Sequence, residues 1–320
     1  MKILVVPTNR PDRVEEFLEA WRPWPWDRIL VIEDAPEASS AGDGDRIVRY
    51  GWREIDAGLA QPDIISRRDS AIRAYGFWKA WTMDADFIFS LDDDCFPVAG
   101  NYVERHLQNL EAMPVWHSTV PNLRVRGLPY ANAGTLRNIY VSMGLWVGHP
   151  DVDAIQALAH PVRADAVLDR GFSSRVMPAE QYFPLCGMNL AFRREVACLM
   201  YFPPMGLNSP FARFDDIWAG LVLQRICRHL RYGIVCGEPV VEHRRASDPF
   251  ANLVKEAPGI SRNENIWEII DAVDLLGSDP LTCMKEMGAA LSDHKSRDEY
   301  VQRWGLAILE WCKLFDTTAA

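Results

Sequence analysis

The nine residues Phe87-Ile88-Phe89-Ser90-Leu91-Asp92-Asp93-Asp94-Cys95 decide the reading of this chain. Phe87 to Leu91 is a short apolar run with the length and composition of a buried strand. It passes straight into three consecutive carboxylates, which repel one another and add nothing to a sheet. Something positive must compensate them. In open α/β sheets ligands bind beyond the carboxyl ends of the strands. Hard divalent cations such as Mg²⁺ or Mn²⁺ take oxygen ligands and are often shared with substrate phosphates. A strand running into Asp-x-Asp therefore predicts a metal site for a nucleoside diphosphate, with Asp92 and Asp94 as ligands. The alternative is a solvated acidic turn.

The flanking sequence supplies the sheet. Lys2-Ile3-Leu4-Val5-Val6 is ended by Pro7, and Arg28-Ile29-Leu30-Val31-Ile32 is ended by Glu33-Asp34. Between them Val14, Phe17, Leu18 and Trp21 recur at helical spacing. A β-α-β opening implies a parallel sheet with a crossover helix. Residues 35–51, rich in Ala, Ser, Gly and Asp, read as a surface loop. Residues 67–82 read as a helix with Ala71, Ala74, Tyr75, Trp78 and Trp81 on one stripe, and 101–113 as another. Over 114–190 periodicity is weak and Gly and Pro recur, so irregular structure with a few strands is expected. From Asp215 to Leu230 a helix is predicted, with Trp218, Val222, Ile226 and Leu230 on one face and two aspartates at the positive end of its dipole. A short strand region (233–242), a polar loop, and two or three amphipathic helices over 262–315 complete the chain. The sum is an α/β protein: one Rossmann-like mixed sheet over residues 1–260 with a helical appendage over 261–320.

Composition bounds the function. The 320 residues are 48% hydrophobic and 24% charged, which excludes a disordered or collagen-like chain. A net charge of −10 argues against non-specific nucleic-acid binding, which depends on neutralising phosphates. Seven scattered cysteines with no CxxC pair read as reduced thiols rather than a zinc or disulfide framework. No apolar run approaches the ~18 residues of a membrane helix, and the opening run stops too soon, at Pro7, for a signal peptide. A cytoplasmic protein that is not integral to a membrane is expected. No G-x-G-x-x-G, Walker A or G-x-S-x-G motif occurs, which disfavours a Rossmann dinucleotide site, a P-loop NTPase and an α/β-hydrolase.

Basic residues are available for a diphosphate. Arg10 follows Pro7-Thr8-Asn9 at the end of the first strand, and Arg67, Arg68 and Arg73 lie on the segment leading to the aspartates. Arginine binds phosphate oxygens bidentately, although a lone arginine is more often a surface charge. His243, after the late strand, is positioned to join Asp92 and Asp94 as a third metal ligand; a hydrogen-bonded structural histidine is the commoner fate. Of Asp215 and Asp216, capping explains one; the second is a candidate catalytic carboxylate held at a helix terminus.

These residues fall within longer segments that resemble the reversibly glycosylated polypeptides, the UDP-arabinopyranose mutase family. The matching segments include Val6-Pro7-Thr8-Asn9-Arg10, Asp69-Ser70-Ala71 with Arg73, Asp92-Asp93-Asp94-Cys95-Phe96 and Val125-Arg126-Gly127. They continue with Cys186-Gly187-Met188-Asn189-Leu190-Ala191-Phe192, Asp215-Asp216-Ile217-Trp218-Ala219-Gly220, and His243 through Leu253, in order over about residues 3–260. The resemblance implies a GT-A-type glycosyltransferase fold and a UDP-sugar as substrate. It implies Pro7, Thr8, Arg10, Asp34, Asp69, Arg73, Asp92 and Asp93 around the nucleotide sugar, and Mn²⁺ or Mg²⁺ on Asp92, Asp94 and His243. The implied activity interconverts UDP-L-arabinopyranose and UDP-L-arabinofuranose, with reversible glycosylation of an arginine that corresponds to Arg126. A guanidinium needs a base before it can attack carbon, and Asp215 or Asp216 is the candidate. A transferase acting on an external acceptor and a non-catalytic UDP-sugar-binding subunit are the alternatives. A homo-oligomer is expected.

Overall fold

A computed structural model describes residues 1–39, 44–98, 100–111, 113–114, 125–127, 136–159, 174–207, 209–244, 248–293 and 298–316. The strands are β1 (Lys2–Thr8), β2 (Arg28–Glu33), β3 (Ile47–Tyr50), β4 (Phe87–Leu91), β5 (Cys95–Pro97), β6 (Met113–Pro114), β7 (Leu136–Arg137), β8 (Ile139–Gly148), β9 (Arg175–Val176), β10 (Asn189–Arg193) and β11 (Gly233–His243). Nine of them form one mixed sheet in the order β3-β2-β1-β4-β10-β8-β11-β5, with β9 paired to β11; β6 and β7 form a separate ribbon. β3, β2, β1 and β4 are mutually parallel. β10 runs antiparallel to both β4 and β8, and β11 is again parallel to β8. The β-α-β opening is as the periodicity predicts, with the crossover helix at Pro11–Trp21.

Parallel strands are covered on both faces, so they read as continuous apolar runs. Ile3 to Val6, Ile29 to Ile32, and Ile88 with Phe89 have no exposed surface. The helix Arg73–Thr82 covers β1 and β2 closely: a Cβ on Gly76 would stand 2.5 Å from Val5 and 2.9 Å from Ile32. The 67–82 prediction is resolved into that helix preceded by a 3-10 turn at Ser70–Ile72. The helix predicted over 101–113 is shorter, Tyr102–Asn109.

Three departures have physical causes. β3 lies inside the segment read as a loop, because a four-residue strand paired on one side only leaves little apolar signal. β8 is a ten-residue strand inside the stretch expected to be irregular. Its alternation of buried Ile139, Val141 and Met143 is blurred by Ser142, also fully buried, which hydrogen-bonds His106 Nδ1 at 2.8 Å. The helical region after β11 begins at Pro249, not near 262: Pro249–Asn263 is a helix that contains Pro258. An interior proline costs a helix about 3 kcal/mol. Here Asp248 caps the Phe250 amide, and Asn252, Glu256 and Gly259 are buried against the body of the protein.

The last helices, Pro280–Ser292 and Glu299–Asp316, pack on the sheet domain. Trp311 is fully buried, stacks on Tyr201 at 5.2 Å, and donates its Nε1–H to the Cys198 carbonyl at 2.8 Å. Trp311→Ala is expected to cost about 3–5 kcal/mol, read as a fall in the urea midpoint of the whole protein. An unchanged main transition would show that this helix folds apart from the sheet.

Candidate functional site

The carboxyl ends of β1, β2 and β4 open into a cavity of about 720 Å³. Pro7, Thr8, Arg10, Asp34, Asp69, Arg73, Asp92, Asp93, Asp94, Asp215 and His243 all line it. With Arg68, twelve of the fifteen residues nominated from the sequence thus meet in one place; Arg67, Asp216 and Arg126 do not line it. Asp216 stands next to Asp215 in the first turn of the helix Asp215–Leu230. Arg126 does not line the cavity; it is exposed on a turn whose Gly127 has φ +103°.

The acidic triplet is compensated by two arginines. Arg73 Nη2 donates to Asp92 Oδ1 at 2.6 Å. Asp93, almost fully buried, accepts from Thr8 Oγ1 at 2.6 Å and from the Arg10 guanidinium. Arg10 also reaches Asp94 Oδ2 at 3.2 Å. Arg73 is fixed further by Ser70, Ser90 and Gly187, so it serves as a buried post on which β4, the 3-10 turn and the Cys-Gly-Met-Asn loop converge.

His243 is held by a contact between Nδ1 and the His149 carbonyl at 2.9 Å. A carbonyl can only accept, so Nδ1 carries hydrogen and, in the neutral ring, the Nε2 lone pair faces Asp94 Oδ1 at 3.7 Å. Burial raises the Asp94 pKa, and the neighbouring Asp92 charge raises it further. Among the described residues no three His, Cys, Asp or Glu side chains are gathered closely enough to hold a metal ion, and Asp92 is bonded to Arg73.

The amino end of the helix Asp215–Leu230 reaches the cavity through Asp215. Its N-cap position is Phe214, so neither aspartate is the N-cap residue. Asp215 instead accepts from Ser70 Oγ at 2.7 Å. Asp216 accepts from the Gly187 amide and from the Ile217 amide, each at 2.9 Å. Burial raises the pKa of Asp215, and that of Asp216 is pushed up to about 8 by burial and by the charges of Asp215 and Asp151. Asp69 is raised as well, by burial first and then by Asp215. Asp34 braces the rim, accepting from Trp52 Nε1 at 2.8 Å and from the Asp69 amide at 3.0 Å.

A carboxyl that keeps its proton to about pH 8 in the folded protein loses it near about pH 4 in the unfolded chain. Between those values the unfolded state binds fewer protons, so stability falls as pH rises. The urea midpoint is expected to drop from about pH 5 to about pH 8, and to drop less in Asp216→Asn. Equal slopes would remove Asp216 from the titrating cluster.

Two charged cavity residues, Asp151 and Lys255, escaped the sequence reading. Asp151 follows β8, the strand that weak periodicity concealed, and accepts from Cys186 Sγ at 2.9 Å. Arg213 has a left-handed φ of +67° and pairs with buried Glu256. Lys255 sits on the helix hidden by Pro258.

A family profile described as "Reversibly glycosylated polypeptide" matches residues 2–320. The chain belongs to the reversibly glycosylated polypeptide family. The profile extends past residue 260 and takes in the C-terminal helices. UDP-arabinopyranose mutase 1 of Arabidopsis thaliana is 33% identical, over 98% of this chain and 91% of its own length. UDP-arabinopyranose mutase 1 of Oryza sativa subsp. japonica is 34% identical over 82% of this chain and 75% of its own length. Probable UDP-arabinopyranose mutase 1 of Pisum sativum is 32% identical over 98% of this chain and 90% of its own length.

Proposed function

We propose that this chain is a UDP-sugar mutase that interconverts the pyranose and furanose rings of UDP-L-arabinose. The observation that carries the reading is the cavity at the ends of β1, β2 and β4. It brings together an arginine-braced aspartate triplet and Asp215, a carboxyl of raised pKa. Full-length likeness to proteins named UDP-arabinopyranose mutase supports it. The sheet is read as GT-A-type: the strand order β3-β2-β1-β4 is that of a nucleotide-binding half-sheet, and antiparallel β10 continues it toward the sugar side.

Asp92, Asp94 and His243 offer two carboxylates and an imidazole lone pair, a donor set that suits Mn²⁺ or Mg²⁺. Asp92 would have to exchange part of its contact with Arg73 to join it. When bound, such a cation supplies charge neutralisation at the departing diphosphate. The chain's own residues do the rest. The bond from C1 to the diphosphate oxygen breaks, and the electron pair leaves with UDP. A nitrogen of Arg126, which stands apart from the cavity wall and must be carried to C1 for this step, bonds to C1 and passes its proton to a carboxylate. The ring then opens as O5 gains a proton, and closes on C1 as O4 loses one. Asp215, on the cavity wall and backed by Asp216, gives and takes that proton; a carboxyl with raised pKa suits both directions near neutrality. Returning UDP displaces the arginine nitrogen, which recovers its proton.

Incubating the protein with UDP-L-arabinopyranose and Mn²⁺, without any acceptor, is expected to yield UDP-L-arabinofuranose on chromatography, and EDTA to suppress it. Release of free arabinose with no furanose form would point to hydrolysis or transfer instead.

A further inference from the structure

The cavity is bordered by five cations, and their partners differ. Arg10 is held by Asp93 and Asp94, Arg73 by Asp92, and Arg213 by Glu256. Glu256 is buried and its second oxygen takes the Ala154 amide at 2.7 Å, so Arg213 is anchored on both sides of the pair. The remaining two, Arg68 and Lys255, have no ion pair among the described residues, and both side chains are exposed at the cavity mouth. An anion entering the cavity meets these two cations without first breaking an existing pair.

Arg68 stands on a prepared support. Its φ of +58° is left-handed, a conformation that disfavours a side chain. The neighbouring segment holds it there. The Leu207 amide donates to the Arg67 carbonyl at 2.9 Å, and Ser66 Oγ both donates to the Met205 carbonyl and accepts the Met205 amide. Gly206 lets the two segments close: a Cβ there would lie 2.5 Å from the Arg67 carbonyl oxygen. Lys255 faces the mouth from the helix Pro249–Asn263, on the same side as Asn252 three residues earlier.

We infer that Arg68 and Lys255 are the clamp for the nucleotide's diphosphate, with Arg10 and Arg73 serving as braces for the aspartate triplet. The inference rests on the UDP-sugar reading above. Both cations keep their charge at neutral pH and present donors that can turn to phosphate oxygens. With the inner side of the diphosphate facing Asp92 and Asp94, these two cations meet the phosphate oxygens that face the mouth.

The test is calorimetric titration of the full chain with UDP, UMP and uridine, on wild type, Arg68→Gly and Lys255→Gln. Glycine suits a left-handed φ, and Lys255 is exposed, so both variants should keep the wild-type melting temperature. Each lost cation is expected to weaken UDP about tenfold, as for a charge-assisted hydrogen bond, to weaken UMP less, and to leave uridine unchanged. Wild-type UDP affinity in both variants would overturn the clamp and leave the UDP-sugar reading standing. Loss of uridine in parallel with UDP would also overturn it, since the effect would then not be on phosphate. A wild-type protein that binds no UDP would overturn the functional reading and the clamp together.

Discussion

Arg73→Met is expected to destabilise the protein by about 3–5 kcal/mol, the cost of stripping one partner from a buried charged network. That is a large share of the about 5–15 kcal/mol that holds a domain folded. The side chain is only 2% exposed. It donates to the Ser70 carbonyl at 3.0 Å, Ser90 Oγ at 3.0 Å, the Gly187 carbonyl at 2.7 Å and Asp92 Oδ1 at 2.6 Å, and it lies over the Phe202 ring. Methionine fills the volume and satisfies none of these acceptors. Burial alone would lower the pKa of this guanidinium, but the charges of Asp92, Asp215 and Asp216 outweigh it and raise it. Arg73→Lys should also fail in large part, because an ammonium cannot span four acceptors arranged for a planar fork. Urea unfolding reads the result; a midpoint within error of wild type would show that the network is replaceable.

Arg126→Lys is expected to reduce ring interconversion to background and to abolish any sugar adduct on the protein, while UDP affinity changes little. The side chain is exposed and lies apart from the cavity wall, so its loss should not disturb the fold. Lysine keeps the charge and removes the guanidine nitrogens. If Arg126 only neutralised phosphate, the lysine variant would keep substantial activity. Intact-mass and peptide mass spectrometry after incubation with the UDP-sugar decide the matter. An active lysine variant, or a pentose adduct mapped to another residue, would remove Arg126 from the chemistry.

What the sequence revealed, and what it hid, follows from how each signal arises. β1, β2 and β4 are buried on both faces, so their composition alone marks them. The triplet after β4 is conspicuous because repelling carboxylates at a strand end need a reason, and that reason led to the cavity. The compensating charge was less legible. That Arg10 reaches Asp93 and Arg73 reaches Asp92 depends on a sheet pairing that joins residues more than eighty positions apart in the first case. β8 escaped because Ser142 satisfies a buried polar network with His106 and Asn109 instead of facing solvent. The helix carrying Lys255 escaped because Pro258 breaks the pattern that burial of Glu256 and Gly259 sustains. Asp215 and Asp216 were expected at a helix start, and both stand in the first turn of the helix Asp215–Leu230. A helix start suggests capping, whereas in three dimensions they tether Ser70 and Gly187.

On the mutase reading, this cavity breaks and remakes the bond between C1 and the diphosphate while UDP stays bound. The most direct test uses UDP-L-arabinopyranose carrying ¹⁸O in the bridge between C1 and the β-phosphorus. The expected product is UDP-L-arabinofuranose in which the label has spread from the bridge to the non-bridging oxygens of the β-phosphate, because a freed phosphate can rotate before the bond re-forms. Furanose product with the label wholly retained in the bridge would contradict cleavage at C1, and absence of any furanose product would contradict the mutase itself.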